Sequence, residues 1–377
     1  QRGVLELELC DGRVFSVNGP DPGKYARVVS KDDAIWTRLI REGDMGFSDG
    51  YLDGQWTTPD LQAFMDVVFD NFSEISQKYP GAGILRMYER LRHWMNRNTK
   101  DQARKNISYH YDLGNDFYAK WLDDTMTYSS ALFITGQESL EKAQIQKYAS
   151  ICDRMGMNAG DHLLEIGCGW GGFAEYAAGQ RGASLKCLTI SKEQHDYAKK
   201  RMFNAGLADK VDIVMQDYRD EAGQYDGIAS IEMFEAVGEK YWPSYFRTVH
   251  DCLKPGKQAT IQVITIADHM FDNYRKSVDY IQKHIFPGGM LPSPIVLRAQ
   301  IEKSGLEFCG SMAFAKSYSQ TLRRWYCTFN DKWNGIADAN FDDRFLNMWN
   351  FYLTSCAGGF EYGTTDVAQV TMRRRAL

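Results

Sequence analysis

The chain has 377 residues and a formal net charge of −5. This length allows two domains, and the acidic balance provides no overall positive field, so we expect no nucleic-acid partner. No apolar run approaches the roughly 20 residues that span a bilayer, and the eight cysteines are scattered without a CxxC pair or zinc spacing, which predicts reduced thiols in a cytoplasmic protein and no metal site.

The first 70 residues predict a small mixed α+β unit. Leucines that alternate with glutamates before an Asp–Gly turn are typical of a β-hairpin, here over residues 4–17. A third strand is expected at 25–29, a helix at 32–42, and a second helix after the Thr-Pro-Asp sequence at 58–60. Between the two helices, residues 43–56 are rich in glycine and aromatic side chains.

Residues 83–105 are basic and amphipathic, with arginines and lysines interleaved among apolar and aromatic side chains. Two interpretations stay open. The stretch is either a solvated helix face or a docking surface for anionic lipid headgroups, near which each basic side chain contributes roughly 1 kcal/mol. We predict an N-terminal lipid-docking domain over residues 1–95, a linker at 96–107 and a second domain over 108–377.

From residue 108 onward, strands alternate with helices. This alternation predicts an α/β domain with a doubly wound, mostly parallel sheet. A helix with Leu140, Ala143 and Ile151 on its apolar positions precedes the first strand. The predicted strands are 163–166, 184–189, 211–215, 227–231 and 259–266, with two last strands within 305–314 and 365–372.

A glycine-rich turn, Gly-Cys-Gly-Trp-Gly at 167–171, joins the first strand of this sheet to a helix. Glycines let the backbone turn sharply and approach a ligand closely, and the helix start offers unpaired N–H groups. Glu165 lies where an acidic residue often precedes the first glycine in methyltransferases that use S-adenosylmethionine. Taken alone, the pattern also fits an ordinary turn in an α/β protein.

Polar residues or glycines follow each of the first four strands, where a doubly wound sheet binds its ligand. An NAD-binding unit usually has an acid after its second strand, and Thr189 and Ser191 stand there instead, which argues against a dehydrogenase. Asp217 precedes an aromatic residue and fits a clamp for adenine. The strand-end residues are Gly167, Cys168 and Gly169; Thr189, Ser191 and Gln194; Gln216, Asp217 and Tyr218; and Glu232, Phe234 and Glu235.

Together these residues resemble the cyclopropane fatty acid synthase family, whose members use S-adenosylmethionine to act on alkenes in lipids. The resemblance extends over essentially the whole chain, and residues 47–56 are similar to the family's small N-terminal domain. It rests on the glycine turn with Glu165 and on the segments 109–118, 126–129, 188–194, 233–238 and 285–293.

The resemblance implies a Rossmann-like doubly wound methyltransferase domain with a small mixed α+β N-terminal domain, and S-adenosylmethionine as the cofactor. To the family's cofactor positions we add Glu165 and Asp217 from the strand-end pattern. The positions that match the family's cofactor-binding residues are Tyr128, Ser129, Gly167, Gly169, Thr189, Ser191, Gln194, Tyr218 and Arg219.

In the cyclopropane synthases a bicarbonate ion serves as the base, bound by a cysteine, a glutamate, a histidine and a tyrosine. By this resemblance Glu235 matches the glutamate and Tyr318 the tyrosine. Ser130 stands at the cysteine position and Ile264 at the histidine position. We predict Glu235, Tyr318 and Ser130 as the catalytic residues and bicarbonate as a candidate base. For Glu235, simple pairing with a nearby cation is the alternative.

The implied reaction is methyl transfer from S-adenosylmethionine to the double bond of an unsaturated acyl chain in a membrane phospholipid. It leaves a carbocation that must be kept from water and that aromatic faces stabilise. Proton removal from the new methyl closes a cyclopropane, whereas removal from a neighbouring carbon gives a methylated or methylene-bearing chain. The departures at Ser130 and Ile264 favour the methylated product, with the cyclopropane as the alternative.

Two other functions stay open at this point. One is methyl transfer to a small amine, against which the N-terminal domain and the basic stretch argue. The other is a catalytically silent lipid- or cofactor-binding protein, against which Glu235 and Tyr318 argue. We expect a peripheral protein at the cytoplasmic face of the membrane, and a homodimer is the family expectation.

Overall fold

The computed structural model describes residues 1–72, 113–338 and 340–376 of the chain. Three predictions lie outside the described residues: the basic stretch at 83–105, the domain boundary at 95 and the linker at 96–107. The described part of the chain contains two sheets, each with helices packed against it.

Residues 1–72 form a small mixed unit, as the sequence predicts. Its strands are β1 (Arg2–Glu8), β2 (Val14–Asn18), β3 (Asp21–Ser30) and β4 (Trp56–Thr57), and its helices are α1 (Ala34–Leu52) and α2 (Leu61–Asp70). The predicted hairpin is confirmed, because β1 and β2 pair antiparallel, and β3 pairs with the other edge of β1 in parallel. Asp60 caps α2 by accepting a hydrogen bond from the Ala63 N–H at 2.9 Å.

Helix α1 is longer than predicted. The sequence predicts an end at residue 42, but the helix continues to Leu52 across a kink at Gly43, where φ is 66° and ψ is −145°. Glycine adopts this conformation without the steric penalty of a Cβ. Beyond the kink, the rings of Phe47 and Tyr51 pack on Trp56 at centroid distances of 4.3 and 4.8 Å. The glycine-rich segment therefore closes the core of the small unit as a helix.

The second sheet has seven strands in the described part of the chain. They are β5 (His162–Ile166), β6 (Ser184–Thr189), β7 (Val211–Met215), β8 (Tyr225–Ile231), β9 (Leu253–Ile266), β10 (Leu306–Ala313) and β11 (Thr365–Arg374). Their order is β10-β11-β9-β8-β5-β6-β7. The strands from β9 to β7 are parallel, and β11 is antiparallel to both of its neighbours. The predicted doubly wound sheet is confirmed, including its two last strands.

Strand β9 begins earlier than predicted. The Lys-Pro-Gly-Lys sequence at 254–257 predicts a turn, but the strand runs through it. Its pairing with β8 shifts register between Tyr225 and Gly227, and Gly256 has φ 78°. The extra residues are thus accommodated as an irregularity of the ladder rather than as a break before the strand.

Helices cover both faces of this sheet. They are α3 (Asn115–Ala119), α4 (Leu140–Met155), α5 (Gly172–Gly179), α6 (Lys192–Asn204), α7 (Trp242–Cys252), α8 (Asp268–Tyr274), α9 (Tyr280–His284), α10 (Pro294–Lys303), α11 (Ala315–Ile336) and α12 (Asp343–Tyr362). Successive strand residues point to opposite faces, so Leu163 joins the core cluster under α4 and α5, and Leu164 the cluster under α7. None of the described helices is both long and apolar enough to cross a bilayer.

A third core, rich in aromatic side chains, joins α3, α11 and α12. Trp121, Trp325 and Trp349 are buried in it together with Phe117. The Trp349 ring lies edge-on to Trp121 at a centroid distance of 5.4 Å. These helices form a wall that faces the carboxyl ends of the strands, because Tyr118 on α3 packs on Trp170 of the glycine turn at 5.0 Å.

The N-terminal unit packs against this helical wall. Arg323 of α11 donates to Asp66 of α2 at 2.8 Å. Lys283 and His284 of α9 bind the two carboxylate oxygens of Asp49 at 2.7 and 2.8 Å. Partly buried ion pairs of this kind fix the small unit in one orientation against the larger one.

Candidate active site

A cavity of about 1230 Å³ lies at the carboxyl ends of β5, β6, β7 and β8. Described residues of two kinds line it. The sheet side, contributed by the strand ends, includes Glu165, Gly167, Gly169, Thr189, Gln194, Asp217, Tyr218, Arg219, Glu232 and Glu235. The helix side, contributed mainly by α2, α9, α11 and α12, includes Phe69, Phe72, Ile281, Phe286, Tyr318, Leu322, Tyr352 and Phe360.

The glycine turn after β5 brings backbone rather than side chains to the sheet side. Gly167 and Gly169 have φ values of 82° and 52°. The N–H groups of Gly167 and Cys168 both donate to the Leu188 carbonyl at 2.9 Å, which anchors the turn to β6. An ideal Cβ at Gly167 would lie 2.6 Å from Met233 Cγ. A side chain there would displace Met233 and strain the backbone.

Glu165, at the end of β5, is buried and incompletely paired. Its Oε2 has no hydrogen-bond partner among the described residues. Burial raises the pKa of Glu165 to about 8, against the opposing effects of the Cys187 side chain and the Lys147 charge. A buried carboxylate oxygen left free beside a glycine turn fits a ligand that brings a hydrogen-bond donor or a positive charge.

The end of β6 is held by a local hydrogen-bond network. The Thr189 hydroxyl donates to Gln194 Oε1 at 3.0 Å, and the Ser191 N–H donates back to Thr189 Oγ1 at 3.1 Å. Ser191 caps α6 by accepting from the Gln194 N–H. Thr189 and Gln194 line the cavity, whereas Ser191 is not among the described residues that do. The Ser191 side chain therefore positions the start of α6.

Asp217, after β7, is paired with Arg219. The guanidinium donates to both carboxylate oxygens, at 2.8 Å from Nε and 2.6 Å from Nη2. The same guanidinium lies 5.7 Å from the Tyr218 ring centroid and 5.6 Å from that of Tyr241. This pairing holds Tyr218 and Asp217 together at the cavity, and their role as an adenine clamp stays a prediction.

Tyr128 and Ser129 both line the cavity, and Ser129 connects it to a buried lysine. The Tyr128 hydroxyl donates to the Tyr352 hydroxyl at 2.9 Å. Ser129 Oγ accepts from Lys147 Nζ at 2.7 Å, and Lys147 is fully buried. Burial lowers the pKa of Lys147 to about 7, and the nearby charge of Glu232 is the strongest opposing influence. Lys147 is thus a fully buried amine whose positive charge is weakened near neutral pH and which interacts with the charge of Glu232.

Glu232, directly after β8, is a cavity carboxylate that accepts hydrogen bonds from three different residues. The Tyr318 hydroxyl donates to its Oε2 at 2.6 Å. The Ser130 N–H and the Gln262 amide each donate to its Oε1 at 2.8 Å. Burial raises the pKa of Glu232, while the bonds from Tyr318 and Gln262 and the charge of Lys147 oppose the increase. Its backbone has φ 49°, an uncommon conformation for a residue with a side chain.

Glu235 lies on the same side but is poorly satisfied. Its Oε1 accepts from the Ile264 N–H at 2.5 Å. Its Oε2 is buried without a hydrogen-bond partner among the described residues. Burial, and secondarily the charge of Glu232, raise the pKa of Glu235 to about 8. Close to neutral pH this carboxyl is therefore largely protonated, and among the described residues it forms no ion pair with a cation.

The predicted catalytic residue Ser130 contributes its backbone to the site. Its hydroxyl donates to the Ala131 carbonyl at 2.9 Å, and its side chain is fully buried. Its N–H reaches Glu232, whereas Tyr318 reaches the same carboxylate with its side chain. The structure brings Ser130 and Tyr318 together through Glu232, and a catalytic role for the Ser130 hydroxyl stays a prediction.

The helix side of the cavity is apolar and aromatic. Phe69 and Phe72 come from the N-terminal unit, with ring centroids 5.9 Å apart. Phe69 packs so closely on α12 that an ideal Cβ at Gly358 would lie 2.4 Å from its ring. Tyr318 stacks on Phe360 at 4.3 Å. These walls suit a hydrocarbon ligand.

The described residues offer neither a metal site nor a disulfide. Within them, no group of three or more His, Cys, Asp or Glu side chains is arranged to hold an ion. All eight cysteines are described and carry free thiols. Burial raises the pKa of Cys168, the thiol nearest the glycine turn, so it stays protonated and is a poor nucleophile.

Comparison with known families agrees with the site geometry. The family described as "Mycolic acid cyclopropane synthetase" matches residues 98–370. The chain belongs to this family. The match includes the glycine turn, Glu232, Glu235 and Tyr318, and the predicted family membership is confirmed.

Two relatives of the cyclopropane synthetase family are similar over nearly the whole chain. The tuberculostearic acid methyltransferase UfaA1 of Mycobacterium tuberculosis is 36% identical over 98% of this chain and 88% of its own length. The cyclopropane-fatty-acyl-phospholipid synthase of Escherichia coli (strain K12) is 36% identical over 97% and 92%. The crystal structure of mycolic acid cyclopropane synthase CmaA1 complexed with SAH and CTAB aligns with a TM-score of 0.66 at 26% identity, covering 72% of this chain and 98% of that one.

Sequence reasoning missed the roles of two charged residues in this site, Glu232 and Lys147. It noted Glu232 at a strand end without giving it a role, although an acid in that position lies among the ligand-facing residues. It missed Lys147 altogether. The available signal was spacing, because Lys147 lies four residues after Ala143 and four before Ile151, both fully buried on the same helix face.

Proposed function

We propose that this chain transfers a methyl group from S-adenosylmethionine to the double bond of an unsaturated acyl chain in a membrane phospholipid, giving a methylated or methylene-bearing chain. The observation that carries the proposal is one cavity with a polar, glycine-bordered sheet side and an apolar, aromatic helix side. The first fits a charged nucleoside cofactor and the second a hydrocarbon. Family membership and the acyl-modifying relatives support the same function.

S-adenosylmethionine supplies an electrophilic methyl group on a positively charged sulfur. We assign cofactor binding to the sheet side. There the Oε2 atom of Glu165, which has no partner among the described residues, is available to accept a hydrogen bond from the cofactor, and the glycine turn leaves room for close approach. Ser191 supports this site by holding the start of α6. The predicted cofactor-binding residues that line the cavity are Tyr128, Ser129, Glu165, Gly167, Gly169, Thr189, Gln194, Asp217, Tyr218 and Arg219.

The helix side keeps water from the reacting carbon and stabilises its charge. Methyl addition to an alkene leaves a carbocation that water would capture. Aromatic faces attract positive charge, and the stacked rings of Tyr318 and Phe360, with Phe286 nearby on the lining, supply such faces. This side would also hold the alkene against the methyl group in a reactive orientation.

The position of the base decides the product. At 36% identity to both a tuberculostearic acid methyltransferase and a cyclopropane synthase, overall similarity favours neither outcome. The apolar side chain of Ile264 lines the cavity, at the position that the family resemblance assigns to a histidine in the cyclopropane synthases. Because this change alters the surroundings of the base, we favour the methylated product and retain cyclopropane formation as the second candidate.

We extend the proposal to the organisation of the chain. Residues 1–95 would form the N-terminal lipid-docking domain, 96–107 the linker and 108–377 the methyltransferase domain. The separate four-stranded sheet of residues 1–72 supports this division. A phospholipid substrate implies peripheral contact with a membrane, and docking through residues 83–105 stays a prediction.

Incubation with S-adenosylmethionine carrying a fully deuterated methyl group and with unsaturated phospholipid vesicles tests this function. Fatty acids are then released and analysed by gas chromatography with mass detection. A methylated alkene formed by proton loss from the chain retains all the deuterium. A cyclopropane and a chain with an exocyclic methylene each lose one deuterium, and these two are distinguished by their chromatographic retention. Label in added small amines, with none in lipid, would contradict the acyl-chain function.

A further inference from the structure

We infer that the carboxylate of Glu232 is the built-in base of this chain, accepting the proton that leaves the methylated acyl chain, and that turnover needs no bicarbonate. The inference rests on the proposed function, since it concerns the proton released in that reaction. It begins from one contact: the hydroxyl of Tyr318, which the family resemblance assigns to the anion, instead donates to Glu232 Oε2 at 2.6 Å.

The side chains around this point do not fit a bicarbonate ion. The Ser130 hydroxyl is committed to the Ala131 carbonyl, and Ile264 has no side-chain donor. Glu235 directs its one hydrogen-bonded oxygen to the Ile264 N–H. The donor groups that would hold an exogenous anion are therefore absent or already used.

Electrostatics argue in the same direction. Glu232 and Glu235 are partly buried side by side on the sheet side of the cavity, and the charge of Glu232 already raises the pKa of Glu235. A third negative group placed between them would be repelled and would also lose its hydration. The charge of the buried Lys147 already acts on Glu232, where it opposes the rise in the pKa that burial causes.

Hydrogen bonds hold the Glu232 carboxylate in one orientation, as a general base requires. Two donors, the Ser130 N–H and the Gln262 amide, fix Oε1. Gln262 is fixed in turn, since its Oε1 accepts from Gln369 at 3.2 Å. The uncommon φ of 49° at Glu232 is strained for a residue with a side chain and persists only because the surrounding contacts determine it. Strain of this kind is typical of functional positions.

The other internal candidate, Glu235, is less suited to accept a proton. Burial raises its pKa to about 8, so near neutral pH it already carries a proton. Glu232 has four groups that favour its ionised form, namely Tyr318, Gln262, the Ser130 N–H and Lys147. Glu235, in contrast, accepts its hydrogen bond from the Ile264 N–H. Glu235 then acts as a neutral neighbour that shapes the site.

The proposed step balances as follows. The alkene electron pair forms a bond to the methyl carbon while the carbon–sulfur bond breaks, and its electrons remain on sulfur as a neutral thioether. The resulting cation on the acyl chain loses a proton to Glu232. The electrons of that carbon–hydrogen bond form the new carbon–carbon bond, either an alkene or the closing bond of a ring. Glu232 becomes a neutral acid and returns the proton to water after product release.

The test compares turnover on unsaturated vesicles in buffer depleted of carbon dioxide, with and without added bicarbonate. We expect the parent to work equally well in both. Glu232→Gly should lose about 10²–10⁴-fold in turnover, because glycine accepts the backbone conformation but removes the base. Added bicarbonate or formate should restore part of that loss by entering the vacated space. Glu232→Gln, which fills the space, should be equally slow and should not be rescued.

Controls separate this inference from the function itself. Glu302→Gln, an exposed carboxylate paired with Arg298, should behave like the parent. Calorimetry should show unchanged S-adenosylmethionine binding by Glu232→Gly. A parent that requires bicarbonate, or a Glu232→Gly variant as fast as the parent, would overturn the inference while leaving lipid methylation intact. A parent that modifies no lipid under any condition would instead overturn the proposed function.

Discussion

The two sides of the cavity are built in different ways. The sheet side comes from residues that immediately follow strands, so each functional group lies within a few positions of a buried strand end. The helix side is assembled from α2, near the start of the chain, and from α9, α11 and α12, near its end, which meet α2 only through packing. The residues of the sheet side are therefore positioned by local structure, whereas the helix side depends on how the N-terminal unit packs against the larger one.

This difference predicts different responses to mutation. Changes on the sheet side should impair cofactor binding or chemistry and leave recognition of the acyl chain intact. Changes on the helix side should weaken use of long acyl chains while cofactor affinity is preserved. Residues at the junction of the two units should affect stability before they affect turnover. The following variants are arranged from the largest expected effect to the smallest.

Gly167→Val should abolish measurable cofactor binding, a loss of at least about 100-fold. The new Cβ would lie within 2.6 Å of Met233 Cγ, at a φ of 82° that branched residues avoid. The measurement is titration of S-adenosylmethionine by calorimetry. Gly179→Ala is the matched control, because its nearest contact would be an ordinary 3.6 Å to Leu207. Equal binding by the valine variant and the parent would show that the cofactor lies elsewhere.

Tyr318→Phe should reduce turnover by about 10–100-fold and leave S-adenosylmethionine affinity unchanged. It removes a hydrogen bond to a charged group, worth about 1.5–3 kcal/mol, and so raises the proton affinity of Glu232 and loosens its orientation. Tyr352→Phe is the control, since it removes a buried hydroxyl bonded to Tyr128 but leaves Glu232 untouched. A larger loss for Tyr352 than for Tyr318 would contradict the assignment of Glu232 as the base.

The sheet side could be predicted largely from the sequence because its information is local. The glycine turn after the first strand and the polar residues after the next strands predicted that Glu165, Gly167, Thr189 and Gln194 lie at the ligand-binding edge of the sheet, and all four line the cavity. Ser191 illustrates the limit of this reasoning. It is adjacent to cavity residues in sequence, but its side chain is used as the cap of α6. Proximity along the chain predicted its place and could not predict its contacts.

Apart from Tyr318, which the family resemblance implied, the helix side could not be predicted because nothing local specifies it. Phe69 reads as one more apolar position of an amphipathic helix, and only docking on Gly358 turns it into a cavity wall. The hydrogen bond between Glu232 and Tyr318 joins residues 86 positions apart. The same holds for α1, whose extension past Gly43 depends on packing around Trp56 rather than on helix propensity.

Phe69→Ala should raise the KM for phospholipid vesicles by about tenfold, with a small change in S-adenosylmethionine affinity. Loss of a large apolar wall removes contact area for the acyl chain, at about 25 cal/mol per Å². Steady-state kinetics with lipids of decreasing chain length provide the measurement, and the deficit should shrink as the chain shortens. Ile40→Ala, an exposed position on α1 of the same unit, is the control. A uniform deficit for all chain lengths would place Phe69 outside the acyl site.

Asp49→Asn should have the smallest effect on turnover and a measurable effect on stability. Asp49 joins α1 to α9 through Lys283 and His284. Burial raises the pKa of Asp49, but the hydrogen bonds from His284 and Lys283 outweigh it and lower the pKa from 3.8 to about 2. This shift of nearly two units corresponds to about 2 kcal/mol of folding free energy at neutral pH.

The sign of the pH dependence gives the decisive measurement. Because the folded-state pKa is depressed, the contribution of Asp49 is fully present above its unfolded value of about 4 and is lost as the pH falls towards about 2. Urea unfolding of parent and Asp49→Asn should therefore differ at pH 7 and converge progressively below pH 4. A difference that stayed constant down to pH 3 would mean that the asparagine disturbs packing rather than charge. Convergence, with vesicle KM unchanged at neutral pH, would show that this junction stabilises the helix side without setting its affinity for lipid.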